Sequence, residues 1–542
     1  MAKNRARLHR KVLIIQLTRM GDLIQTIPLL KGLFEQSNPS HITLVCVREF
    51  SRILDSARFV HRFLRIPASD VYKLCKAEDM NYLTELATHP YFAEDYDLVI
   101  NLTHDYMTGL LANRVKAAEK AGVVHRSRTD GYIPDRWGRY LFAVVRNRRV
   151  NTFNLVDIHM GIGKVKHKPM VPFLTPPSRA RRKIDVLLSR EGIHRDCPII
   201  CIHPGANLIH RTWPIEYFAS LAEILVRNTG VTVVITGFGR TEEQLGGELI
   251  EFCRKKGLPK SRIVNMVGKT GQNELVALME RAILLVTNDT GPIHIAAAVG
   301  TPTVGIYLST AFPGETAPYG SGHVTISPAL DCYPCLRPEE RSGCGLKCRW
   351  SIKPEIIFDV ASAIIDGRVD DSLVRRRLSF DGVAIMQSRF MSNGTLIYLP
   401  CNEQDGKAFA HLVAERYAWE GVLGLNSTFE LVEFADKESL LQEVALRRFF
   451  FEKLGTIAEK ACQNESRRLD KNGLHGSFAR LVNSFRISTP SLFPDYFVSP
   501  LWPSKMEEGA SLWRLKCIDI NIALERLGEL EQWIKSQNFQ FA

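Results

Sequence analysis

Short apolar runs alternate with amphipathic stretches along the first two-thirds of the chain. Residues 12–17, 42–47 and 96–102 have the length and β-branched content of buried strands, and residues 27–36 between the first two read as a helix. Residues 108–121 are rich in small side chains and predict another helix, with Gly122 as its C-terminal cap. A proline-rich stretch, 168–177, breaks the pattern and predicts a linker. The alternation then resumes. Strands are predicted at 199–202, 231–236, 263–266, 282–286 and 303–307, with helices at 214–228, 242–256 and 274–281 between them. Buried strands alternating with helices predict doubly wound, mostly parallel sheets. The expected fold is therefore α/β, with one Rossmann-like domain over 1–170 and a second over 178–367. Beyond 368 the pattern changes to helical runs at 406–421, 437–460 and 518–536, which predict a mainly helical extension to 542. Residues 492–503, rich in Pro and aromatics, predict an ordered, packed loop. No internal repeat or low-complexity tract is visible.

Three of the predicted strands lead directly into polar segments that can carry chemistry. The first runs into Thr18-Arg19-Met20-Gly21-Asp22, and the strand at 199–202 runs into His203-Pro204-Gly205-Ala206-Asn207 and then Arg211-Thr212-Trp213-Pro214. The strand at 282–286 leads to Asn288-Asp289-Thr290-Gly291-Pro292-Ile293-His294 and a small-residue helix. The start of such a helix presents free N–H groups and the positive end of its dipole, a natural seat for phosphate. Asp289 could equally be a helix cap, and Asp22 could cap a helix starting near Leu23. All three segments follow strands, so all three should face one cleft.

A Gly-Asp turn, a Pro-Gly-Ala…Arg-x-Trp-Pro segment and an Asp-Thr-Gly-x-x-His segment, each after a strand and in this order, resemble glycosyltransferase family 9. This family comprises the heptosyltransferases of bacterial surface glycans. The resemblance covers roughly residues 12–360. It implies the GT-B architecture, with two Rossmann-like domains facing a cleft. It also implies inverting transfer of a sugar, heptose above all, from an ADP-sugar onto an acceptor like the lipopolysaccharide core. Asp22 matches the base that would deprotonate the acceptor hydroxyl. Arg211, the backbone of Thr290 and Gly291, and His294 match the donor side; Asp289 would brace the turn or bind sugar hydroxyls. The family usually has Lys where this chain has Arg211, and a guanidinium can still bind diphosphate bidentately. Glu242, after the Gly-rich segment 237–239, is the candidate for the ribose hydroxyls, and Arg19 for the acceptor. No active-site metal is expected, since no Asp-x-Asp pair follows a strand and cationic donors can take its place.

Charge and cysteine content refine this picture. The formal charge of +12 calls for an anionic partner. Arg126, Arg128, Arg136, Arg139, Arg146, Arg148 and Arg149 face only Asp130 and Asp135 in one short segment, which reads as a solvated basic surface or a contact for phosphorylated glycolipid and the anionic membrane leaflet. Zinc-finger, RRM and basic-zipper signatures are absent, so nucleic acid is not an expected partner. No apolar run reaches the ~18–20 residues of a membrane span, and no cleavable leader is visible, so a cytoplasmic enzyme with at most peripheral contact at the inner membrane is expected. Of twelve cysteines, four form Cys332-x2-Cys335-x8-Cys344-x3-Cys348 in a loop at 331–349. Two close pairs read as a structural zinc or iron site, with a disulfide-prone loop or free thiols as alternatives. A comparable finger serves assembly in autotransporter heptosyltransferases of the family, which would allow an oligomer and a protein acceptor such as an autotransporter or flagellin. A non-catalytic nucleotide-sugar-binding scaffold is the alternative of another class.

Overall fold

The computed structural model describes residues 10–36, 40–55, 57–127, 131–146, 151–335, 342–368, 382–401, 406–426, 431, 435, 437–464, 519–532 and 535. Two sheets form its frame. The first contains β1 (Arg10–Gln16), β2 (Ser40–Val47), β3 (Arg62–Ile66), β4 (Tyr96–Asn101) and β5 (Ala117–Gly122), in the order β3-β2-β1-β4-β5. All of its pairings are parallel. A short antiparallel hairpin, β6 (Val124–His125) with β7 (Gly131–Tyr132), lies beyond it. The second sheet holds β8 (Ile199–His203), β9 (Thr232–Ile235), β10 (Ile263–Asn265), β11 (Leu284–Asn288), β12 (Thr303–Ile306) and β13 (Val324–Pro328). To these are added β14 (Val383–Phe390) and β15 (Leu396–Pro400), giving the order β10-β9-β8-β11-β12-β13-β14-β15.

Strands β1, β8 and β11 are entirely or almost entirely buried, as continuous apolar runs covered by helices on both faces should be. The strand order reverses between β1 and β4 in one sheet and between β8 and β11 in the other. Ligands of doubly wound sheets bind outside the carboxyl ends of the strands at such reversals. The three polar segments leave β1, β8 and β11 at these two points.

Two expectations are corrected. Residues 108–121 are not one helix: a helix occupies Tyr106–Arg114, and β5 follows. The Ala-Ala-Glu-Lys-Ala run has helical propensity, but pairing along β4 from Tyr96↔Ala117 to Asn101↔Gly122 satisfies its backbone in the sheet instead. Gly122 has φ +76° and leaves no room for a side chain, because a Cβ would lie 2.1 Å from the Asn101 carbonyl oxygen. It terminates the strand and caps no helix.

The extension is mainly helical, as expected, over its described residues from 406 onward, and adds two strands ahead of its helices. It opens with β14, which adds antiparallel to β13 and covers an edge that would otherwise be open, and β15, which adds antiparallel to β14. Helices Gly406–Val422 and Lys437–Asn464 follow, and residues 519–532 are helical; 492–503 lie outside the described residues. The Gly406–Val422 helix is keyed into the first Rossmann-like unit. Trp419 meets Tyr140 edge-on at 4.9 Å, and the Arg416 guanidinium lies 3.9 Å above the Phe153 ring. Arg416 is fully buried; its Nε donates to Glu420 at 3.0 Å, and it also donates to the Thr152 carbonyl and the Thr395 hydroxyl. The Asp157 carboxylate accepts from Tyr319 Oη at 2.6 Å and from the Leu396 N–H at 3.0 Å, joining first unit, second unit and extension at one buried point.

Candidate functional site

The turn after β1 is built by side-chain hydrogen bonds. The Leu17 N–H donates to Thr103 Oγ1 at 2.9 Å, and Thr18 Oγ1 donates to Gln16 Oε1 at 2.7 Å. Gln16 Nε2 in turn donates to Thr26 Oγ1 at 3.2 Å. This network fixes the entry of the Met20–Gln25 helix, in whose first turn Asp22 sits, half-buried. The helix starts at Met20 rather than near Leu23, so Asp22 is its third residue and not its N-cap; its carboxylate accepts from the Arg19 N–H at 3.2 Å, the return bond of a capping box. Arg19 itself is exposed.

Facing this turn is the Gly291–Ala298 helix of the second unit, which follows β11. Thr290 is its N-cap in extended conformation, and Pro292 occupies the first turn, where its missing N–H leaves no intrahelical bond unmade. The two helices touch through small residues. A Cβ on Gly21 would come 2.7 Å from His294 Cδ2, and one on Gly291 would come 2.6 Å from Met20 Cε. His294 is buried, and burial pushes its imidazole down to about 4, against the opposing pull of the Asp22 charge. Near neutral pH it is therefore uncharged. A neutral imidazole can still donate through its ring N–H, so the expected donor-side contact would be a hydrogen bond rather than an ion pair.

On the β8 side, Arg211 and Asp289 are brought together. Arg211 Nη1 lies 3.6 Å from Asp289 Oδ2, and its Nε donates to Thr310 Oγ1 at 2.6 Å. Thr316 Oγ1 donates to the other Asp289 oxygen at 3.3 Å. The Arg211 side chain is 14% exposed. Asn288 fastens the two loops to one another: its Oδ1 accepts from the Trp213 N–H at 3.0 Å, and its Nδ2 donates to the Pro204 and Gly205 carbonyls at 2.9 and 3.1 Å. Sequence reasoning gave Asn288 no role, although a polar side chain closing an apolar strand was the available signal.

Glu242 heads the Arg240–Lys255 helix and points back at the loops. Its Oε2 accepts from the Phe238 N–H at 2.7 Å, and its Oε1 lies 3.6 Å from His203 Nε2. One carboxylate oxygen is thus committed to bracing the loop after β9. The basic segment near 126–149 is partly an internal contact: Arg136 pairs with buried Asp519 of the extension at 2.7 Å.

The four cysteines lie at the rim of the second unit as free thiols, each half-buried. Among the described residues no three His, Cys, Asp or Glu side chains are grouped as a metal-binding set. The thiols are nonetheless neighbours: burial first, and then Cys332, Cys344 and Cys335, raise the Cys348 thiol above its usual value. Among the described residues no helix is long and apolar enough to cross a membrane.

Comparison with known proteins gives the same reading of this part of the chain. Residues 92–345 match the family model of glycosyltransferase family 9 (heptosyltransferase), a span that begins after the Asp22 turn. The chain is 29% identical over 235 residues to lipooligosaccharide heptosyltransferase 2 of Haemophilus influenzae, covering 42% of this chain and 64% of that protein. It is 25% identical over 296 residues to lipopolysaccharide heptosyltransferase 3 of Escherichia coli K12, covering 54% of this chain and 80% of the relative. The crystal structure of a family 9 glycosyl transferase from Veillonella parvula superposes with a TM-score of 0.55 at 22% identity, over 66% of this chain and 98% of that one. That likeness is one of fold.

Proposed function

With residues 92–345 matching glycosyltransferase family 9 as the premise, we propose that the protein is an inverting glycosyltransferase using a nucleoside-diphosphate sugar. The donor we propose is ADP-heptose, and the acceptor a hydroxyl of a glycolipid such as the lipopolysaccharide core. The observation that carries the proposal is the meeting of the Asp22 turn with the start of the Gly291–Ala298 helix, with Gly21 against His294 and Gly291 against Met20.

In this reading the acceptor oxygen attacks the anomeric carbon as the bond from that carbon to the diphosphate oxygen breaks. Asp22 takes the hydroxyl proton, and the electron pair of the broken bond leaves on the diphosphate. Arg211 neutralises that charge, and the N–H groups at the start of the Gly291–Ala298 helix add donors in a site screened from bulk water. A single displacement inverts the anomeric centre and needs no covalent intermediate. His294, uncharged and buried, fills space behind Asp22 and keeps water from it. Glu242 takes the ribose hydroxyls with the oxygen that faces away from Phe238, and Arg19, exposed beside the base, meets the acceptor. The reaction site lies in the cytoplasm, with the acceptor presented at the inner-membrane surface.

A donor screen tests the proposal. ADP-, GDP- and UDP-sugars are offered with a lipopolysaccharide-core acceptor, and nucleoside diphosphate release is measured. Release of ADP from ADP-heptose alone is the expected result; release of none of the three transfers the assignment to a non-catalytic binding protein. A structural zinc or iron at Cys332, Cys335, Cys344 and Cys348 is carried in the same proposal, on their spacing and mutual proximity. Elemental analysis of anaerobically purified protein should find about one such metal per chain, the number one tetrahedral thiolate site takes. A metal-free protein would leave the four as thiols.

A further inference from the structure

The loop carrying the four cysteines was expected to stand apart from the cleft chemistry. Its hydrogen bonds place it against Arg211 instead. Thr310 and Asp289 are among the neighbours that hold Arg211. Thr310 lies between Ser309 and Ala311, and both of these are bound by the cysteine loop. The Cys335 N–H donates to the Ser309 carbonyl at 2.7 Å, and Tyr333 Oη donates to the Ala311 carbonyl at 2.8 Å. On the other side, the two residues after Arg211 are bound by Arg349 at the end of the same loop and by Ile352, three residues beyond it. Arg349 Nε donates to the Thr212 carbonyl at 2.6 Å, and Trp213 Nε1 donates to the Ile352 carbonyl at 2.9 Å. Three bonds from the cysteine loop, and a fourth from Trp213 to Ile352 just beyond it, therefore converge on the neighbours of Arg211 and of its hydrogen-bond partner.

We propose that the cysteine loop positions the guanidinium of Arg211 for the donor diphosphate, with Arg349 as its principal positioning residue. The physical reason is local. Arg211 ends a single 3-10 turn, Ile209–Arg211, too short to hold its own geometry. Its backbone is secured from inside by Asn288 through Trp213, and from outside by Arg349 through the neighbouring carbonyl. Arg349 Nε supplies a charge-assisted bond where a neutral donor would be weaker. Arg349 makes no step of the reaction; it acts through Thr212 on Arg211. The inference rests on the reading of Arg211 as a diphosphate contact.

The test uses the full-length protein with Arg349→Ala and Arg349→Lys. Hydrogen exchange of the peptide spanning 205–214 is followed without ligand, and ADP-sugar affinity is measured by calorimetry. In Arg349→Ala, exchange of the Arg211 and Thr212 amides should rise about tenfold, and donor affinity should fall about tenfold, the scale of one lost charge-assisted hydrogen bond. Arg349→Lys, which can still donate to the Thr212 carbonyl, should recover most of both. Unchanged exchange at 205–214 in Arg349→Ala would overturn the inference, whatever the donor proves to be. A global loss of exchange protection, not confined to this peptide and not rescued by Lys, would overturn it equally by making Arg349 a general structural residue. Failure of the wild-type protein to bind any ADP-, GDP- or UDP-sugar bears instead on the glycosyltransferase proposal, so the two failures separate.

Discussion

At the scale of single residues, Asp22 and Arg211 divide the proposed work, and their variants should fail differently. Asp22→Ala should lower turnover by ~10²–10⁴, the usual range for a general base, with donor affinity nearly intact. Wild-type turnover in that variant would remove Asp22 from the mechanism. Arg211→Ala should weaken donor binding and slow transfer together, because its charge faces the diphosphate before and during the reaction. Calorimetry returning wild-type affinity would contradict its placement. The sequence made both residues visible because each sits at a fixed offset after a buried strand. What it concealed was their company. Asn288 binding the β8 loop from 84 positions away, and Arg349 reaching Thr212 across 137, depend on chain segments that only the folded sheet brings together. Asp22 as cap or base could not be separated by motif, and the structure shows the cap bond while leaving the side chain half-buried at the cleft.

At the scale of elements, strands and helices of the two Rossmann-like units were legible wherever an apolar run was long and continuous, as in β1, β8 and β11. The misread segment, 108–121, shows the limit: local propensity favoured helix, but the edge of the β4 strand offered its backbone a better set of partners. The pairing of β14 with β13, and of β15 with β14, was invisible for the same reason, since nothing within 383–400 names the sheet it joins. The Gly406–Val422 helix makes this concrete. Its charged residues Glu415, Arg416 and Glu420 are all buried, and Asn393 Nδ2 donates at 3.0 Å to the Glu420 oxygen that Arg416 also binds. Arg416→Ala should cost about 3–5 kcal/mol of unfolding free energy, because it strands a buried carboxylate. Urea titration giving a loss below about 1 kcal/mol, the level of an exposed pair, would show that the seam is solvated.

At the scale of the whole molecule, several buried imidazoles set an acid limit on stability. Burial holds His159 near 3 and His167, His294 and His323 near 4, against an ordinary 6.5. Between pH 6.5 and about 4 the unfolded chain therefore binds more protons at these four positions, and stability falls as pH falls through that window. Asp157 acts with the opposite sign. Burial raises it to about 7 from 3.8, so the folded state carries its proton in that range and gains as pH falls. Burial also lowers His41 and His125, and it raises Asp105, Asp135 and Asp359. Six imidazoles that lose on acidification stand against four carboxyls that gain, so the thermal midpoint should be lower at pH 5 than at pH 7.5; an equal or higher midpoint at pH 5 would refute this balance. Asp157 has another consequence, which concerns synthesis. Its backbone partner, Leu396, lies 239 positions further along the chain. At ~5–20 residues per second, a ribosome needs about 10–50 s to cover that distance. Throughout that interval the newborn first unit waits with a carboxylate and an aromatic face, Tyr140 and Phe153, still uncovered. The first unit is therefore made well before the segment that completes its buried contacts.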